Sequence, residues 1–139
     1  MKKLFLILSV IFLINGSSNA FAGQNDGSGK VIAYYFHGTF RCPTCHKLEL
    51  YSKEAIETNF KGALSSGKLE FRVVNIEERG NEHFVNDYQL YTKSLVISLV
   101  KDGKEIKSKN LTKIWNYVGN KQKFLQYVTE EVANFLKEI

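Results

Sequence analysis

Two cysteines three residues apart, Cys42-Pro43-Thr44-Cys45, are the residues of this chain best equipped for chemistry. A C-x-x-C pair at the start of a helix suits thiol–disulfide exchange. The attacking species is a thiolate. Free N–H groups and the positive end of a helix dipole stabilise that anion at the first cysteine. A two-residue spacer brings the second thiol within reach of a mixed disulfide. On this reading Cys42 attacks and Cys45 resolves. Arg41, beside Cys42, adds positive charge, while Pro43, Thr44 and His46 modulate the pair.

The flanking sequence builds what this chemistry needs. Lys30 to Phe36 is a β-branched and aromatic run of the kind found in a strand buried on both faces. His37 to Arg41 reads as a loop. From Cys45 to Phe60 the apolar positions Leu48, Tyr51, Ala55, Ile56 and Phe60 recur every three to four residues, which predicts an amphipathic helix with Pro43 in its first turn. Gly62 to Lys68 is a polar connector, and Leu69 to Ile76 a second strand, parallel to the first in a βαβ unit. Asn81 to Tyr88 suggests a short helix with Phe84 and Tyr88 inward. Ser94–Val100 and Lys104–Ser108 flank Asp102-Gly103, a strong signal for a two-residue hairpin turn. Phe124, Val128, Val132, Phe135 and Leu136 form one stripe of a last helix, Lys121 to Glu138. The order is βαβαββα: one α/β domain over residues 30–139, with a mixed central sheet flanked by helices.

Before it lies a different kind of sequence. Met1-Lys2-Lys3, the apolar run Leu4 to Ile14 and the small-residue site Ala20-Phe21-Ala22 have the layout of a cleaved signal peptide, residues 1–22. The apolar run is short for a membrane span. Residues 23–29, rich in Gly, Asn, Asp and Ser, read as a flexible leader. The expected location is therefore periplasmic or secreted. Removing Lys2 and Lys3 lowers the formal net charge from +5 to +3. The remaining basic residues are scattered, so nucleic-acid binding has no electrostatic case. Lys101, Lys104, Lys107 and Lys109 read as a solvated hairpin face.

The element order, with C-x-x-C at the first strand–helix junction, resembles the thioredoxin superfamily over residues 30–139. Within it, the stretch from Tyr34 to His46 (YYFHGTFRCPTCH) is more similar to small exported proteins grouped with the ArsF-type subunit of nitrophenyl-compound reduction than to thioredoxin itself. The resemblance implies dithiol–disulfide function at Cys42 and Cys45, and a substrate groove bounded by the loop before the third strand. It departs from the family at two places. Arg41 stands where thioredoxins carry Trp. The proline that family members carry in cis before the third strand is missing, since Pro43 is the only proline; the matching place is Ser94-Leu95, expected trans because a non-proline cis bond costs ~3 kcal/mol.

Three other readings use the same cysteines. Cys42-x-x-Cys45-His46 satisfies the C-x-x-C-H pattern of covalent haem attachment, with His37 or His83 left as the opposing ligand; the strand-rich pattern and the absence of a Met after Met1 count against it. Cys42 and Cys45, with His37 or His46, also form a donor set for a soft metal or metalloid carrier. Lastly, the pair could be a permanent disulfide stapling the loop. The leading expectation is an exported thiol–disulfide oxidoreductase. It needs no cofactor, acts as a monomer on a protein or small-molecule disulfide or dithiol, and exchanges electrons with a membrane donor.

Overall fold

The computed structural model describes residues 29–139; the expected signal peptide and residues 23–28 of the leader lie outside them. Gly29, the leader's last residue, is buried, and a Cβ there would strike Ile139. The first strand, β1 (Lys30–His37), is buried at six consecutive positions, as its unbroken apolar run requires. It lies in the middle of the sheet. β2 (Leu69–Asn75) pairs parallel to it on one side and β3 (Ser94–Lys101) antiparallel on the other, with β4 (Lys104–Asn110) antiparallel at the far edge. The order is β2-β1-β3-β4.

Alternation along β1 and β3 divides the core in two. Val31, Ala33 and Tyr35, with Leu95, Ile97 and Leu99, face one side. There the 17-residue helix α1 (Pro43–Asn59) and the 16-residue α5 (Lys121–Leu136) close over them with Leu48, Ile56, Phe124, Val128 and Val132. Ile32, Tyr34, Phe36 and Val96 face the other side, covered by Leu90, by Phe84 of the short helix α3 (His83–Asp87) and by Tyr88, its C-cap. The period of two follows from the pleat.

Local signals explain the element ends. Asp102 and Gly103 both adopt positive φ, 51° and 73°, the conformation that a two-residue hairpin turn demands. Asn120 caps α5, its side chain accepting from the Lys123 N–H at 3.1 Å. Two short helices depart from the expected order. α2 (Lys61–Ser65) occupies the polar connector, because Ala63 and Leu64 pack against the main core. α4 (Ile114–Tyr117) precedes α5, because Ile114 is fully buried. In each case one or two apolar residues, too few to show periodicity, recruit a turn of helix. Of the four Lys of the hairpin, Lys104, Lys107 and Lys109 are exposed and Lys101 is half-buried; Lys107 pairs with Glu138 and Lys109 with Glu131, linking β4 to α5 and the residues after it.

A parallel βαβ unit followed by a β-hairpin and a closing helix, with a C-x-x-C pair at the first strand–helix junction, is the thioredoxin-like fold. The described chain makes it as a single domain around one four-stranded mixed sheet.

Candidate dithiol site

Cys42 is the N-cap of α1. Its backbone is extended (φ −85°, ψ 163°), and its sulfur accepts from the Cys45 N–H at 3.2 Å. Pro43 follows within the first turn, where its missing N–H costs no helical bond. No acidic residue lies in that turn to oppose an anion at Cys42. Cys42 is half-buried and Cys45 fully buried, and the two sulfurs are joined as a disulfide across a Cα separation of 5.1 Å. Thr44 is half-buried and His46 is exposed on the helix surface.

Beneath the pair, β1 grips α1. The Tyr35 hydroxyl donates to the carbonyl oxygen of Cys45 at 2.7 Å. Burial pushes the Tyr35 phenol up to about 12, against the pull of the Arg41 guanidinium and with the push of Glu49. Arg41 itself forms an ion pair with Glu49, two turns along α1, and its Nε is buried without a partner. Its positive charge is thus shared with a carboxylate rather than aimed at Cys42 alone.

Above the pair, the loop from Gly38 to Arg41 is held by the end of β2. The Glu77 carboxylate accepts from the Thr39 N–H at 2.9 Å, and Asn75 Nδ2 donates to the Thr39 hydroxyl at 3.3 Å. His37 lies half-buried beside the loop, with Nδ1 2.8 Å from the Gly38 carbonyl. A cavity of about 150 Å³ joins this loop to the one before β3, lined by His37, Gly38, Glu77, Tyr91, Thr92 and Lys93. Phe40 and Tyr91 stand 78% and 93% exposed on the two loops, conspicuous for aromatic side chains that nothing in the fold covers. Larger clefts of about 400 and 610 Å³ run along α5; neither cysteine lines these clefts or the 150 Å³ cavity.

The sequence-derived residues are distributed unevenly over this arrangement. Cys42, Cys45, Arg41, Pro43, Thr44 and His46 lie together at the head of α1. Ser94 is buried, its hydroxyl donating to the Thr92 carbonyl at 2.9 Å, and Leu95 sits in the main core. The exposed surface of that segment belongs to Tyr91 and Thr92 instead. All peptide bonds among the described residues are trans, Ser94-Leu95 included. His37 and His46 do not gather with the cysteines: among the described residues no three His, Cys, Asp or Glu side chains form a metal-holding group. Tyr35, Glu49 and Glu77 were not legible as site residues. Glu49 lies four residues beyond Cys45, which places both on one helix face, and that spacing was the available signal. Glu77 reads in sequence as a solvated strand end, and it is exposed; its bond to Thr39 spans 38 residues and leaves no local mark.

No protein-family model matches the chain, and the curated proteins contain no match to it. Among solved structures it is similar to a Fasciola hepatica thioredoxin at 21% identity, covering 70% of this chain and 84% of that one, with a TM-score of 0.38. It is also similar to oxidised thioredoxin O2 of Arabidopsis thaliana, at 14% identity over 72% and 78% of the two chains, TM-score 0.43. A mutant thioredoxin of Entamoeba histolytica gives 20% identity over 73% and 82%, TM-score 0.39.

Proposed function

We propose that this chain is an exported thiol–disulfide oxidoreductase working through Cys42 and Cys45. The observation that carries the reading is the Cys45 N–H directed at Cys42 Sγ at the head of a 17-residue helix, with the partner sulfur buried behind it. In the reduced protein the same N–H would stabilise a Cys42 thiolate. That thiolate attacks one sulfur of a substrate disulfide, forming a mixed disulfide and releasing the other sulfur as a thiolate. Cys45, once deprotonated, attacks Cys42 Sγ and releases the second substrate thiol. Two electrons pass to the substrate, and a dithiol donor restores the reduced pair. Run backwards, the same steps oxidise a substrate dithiol.

Exposure supports the assignment of roles: the half-buried sulfur meets the substrate and the buried one waits for the mixed disulfide. Exposed Phe40, in the loop before Cys42, and exposed Tyr91, lining the about 150 Å³ cavity, offer the substrate an apolar grip. Export rests on the pattern of Met1 to Ala22 and places the protein in the periplasm or outside the cell, where a membrane donor can reach it. Among the described residues no helix is long and apolar enough to cross a membrane. The stretch from Tyr34 to His46 supports a place beside the ArsF-type exported proteins.

The test is catalysed reduction of a protein disulfide by the reduced protein. Cys42→Ser should abolish it, and Cys45→Ser should stall it with substrate covalently trapped. Exchange no faster than that of free glutathione overturns the reading.

A further inference from the structure

The loop that delivers Cys42 to its helix has no regular structure of its own. Gly38 to Arg41 leaves β1 and must hold its course for four residues before the N-cap. Side chains from other elements hold it, Glu77 chief among them at Thr39. Glu77, just past the end of β2, accepts the Thr39 N–H at 2.9 Å. Asn75 reinforces the contact twice, donating to the Thr39 hydroxyl and accepting from the Glu77 N–H at 3.1 Å. Asn81 Nδ2 in turn holds the Asn75 carbonyl at 2.9 Å.

The approach of the carboxylate to the loop is close. A Cβ on Gly38 would lie 2.6 Å from Glu77 Oε1, well inside contact distance. Gly38 is buried and its backbone does not require glycine for conformation, so a side chain there would have to displace the Glu77 carboxylate.

We propose that Glu77 is a positioning residue of the dithiol site: its carboxylate clamps the Gly38–Arg41 loop and thereby sets the approach of Cys42 to the head of α1. The proposal deepens the oxidoreductase reading and rests on it for its effect on exchange rates. The hydrogen bonds from Thr39 also hold the Glu77 carboxyl below the usual carboxylate range, with His37 and Lys93 adding attraction across the cavity. The clamp is therefore charged at neutral pH and releases only in acid.

The experiment compares Glu77→Ala with Glu77→Gln, reading the pH profile of Cys42 alkylation in the reduced protein alongside catalysed exchange and the unfolding midpoint. Gln keeps an oxygen acceptor for the Thr39 N–H and removes the charge. Glu77→Ala should slow alkylation at neutral pH roughly fivefold and raise the thiol pKa, about what loss of one hydrogen bond gives, while Glu77→Gln stays within about twofold of the parent. Gly38→Ala should reproduce part of the Glu77→Ala effect and add nothing to it in the double variant. Equal effects of Ala and Gln would assign the change to charge and overturn the clamp. So would a Glu77→Ala protein that loses stability with its alkylation profile intact. Alkylation requires no substrate: a parent protein that fails to catalyse exchange sinks the oxidoreductase reading, while the alkylation series still decides the clamp.

Discussion

The two faces of the sheet are built to different depths. Under α1 and α5, sixteen residues form one buried cluster, whereas the α3 face buries five and leans on half-buried Phe84 and Tyr88. The thin face compensates with stacked rings and a polar junction: Tyr34, Phe36, Phe84 and Tyr88 lie within 5.1 to 6.1 Å of one another, and Glu105 accepts both the Tyr88 and the Ser98 hydroxyls at 2.5 Å. The dithiol belongs to the deep face. α1 is anchored there by Leu48 and Ile56, and by the Tyr35 hydroxyl on the Cys45 carbonyl, so the helix start that carries Cys42 is attached to the best-packed part of the molecule. A reactive thiol needs fixed donors, and fixed donors need a rigid base.

Substitution of one ring on each face tests this contrast most strongly. Phe124→Ala, in the deep core, should cost about 3–5 kcal/mol in denaturant unfolding, whereas Phe84→Ala, at a half-buried position, should cost about half as much. Equal losses would mean that the faces are equivalent.

Tyr35→Phe reaches the link between the deep face and the dithiol. It removes the bond to Cys45 and should cost about 1 kcal/mol at neutral pH. It should also change the alkaline limb. The phenol's folded pKa is raised to about 12, so its contribution is complete below about 10 and is lost as pH climbs toward 12, when the unfolded chain ionises first. Stability of the parent followed through that window should decline more steeply than that of the variant.

On the thin face, Tyr88→Phe removes one donor to Glu105 while Ser98 remains, and a loss of about 1 kcal/mol or less is expected by the same measurement. The smallest effect belongs to the edge. Hydrogen bonding to Arg72, aided by Lys30, lowers the Glu70 carboxyl to about 2. Its contribution is present above about pH 4.3 and fades as pH falls toward 2. Because these side chains are a third or more exposed, Glu70→Gln should cost under about 1 kcal/mol at pH 7, and less in high salt.

Much of this molecule can be read from its chain because its signals are local and periodic. The buried run of β1, the stripe Phe124–Val128–Val132–Phe135 and the Asp102-Gly103 turn each announce themselves within a few residues, and Cys42 follows from the helix that its own segment starts. What surrounds the dithiol is not local. Arg41 finds Glu49 once α1 is wound, Thr39 finds Glu77 once β2 is beside β1, and Leu95 turns into the core because β3 pairs with β1 in the register Tyr35↔Leu95. Ser94 and Leu95 themselves are buried, and the side chains of that segment that reach solvent come just before the strand, at Tyr91 and Thr92.

The most direct measurement is the pKa of the Cys42 thiol in the reduced protein, followed by the ultraviolet absorbance of the thiolate with Cys45→Ser as the single-thiol control. An N-cap sulfur facing the Cys45 N–H should ionise well below the ~8.5 of a free cysteine, at about 7 or lower. A value at or above that of the free amino acid would show that the helix start does nothing for the sulfur, contradicting the account at its root.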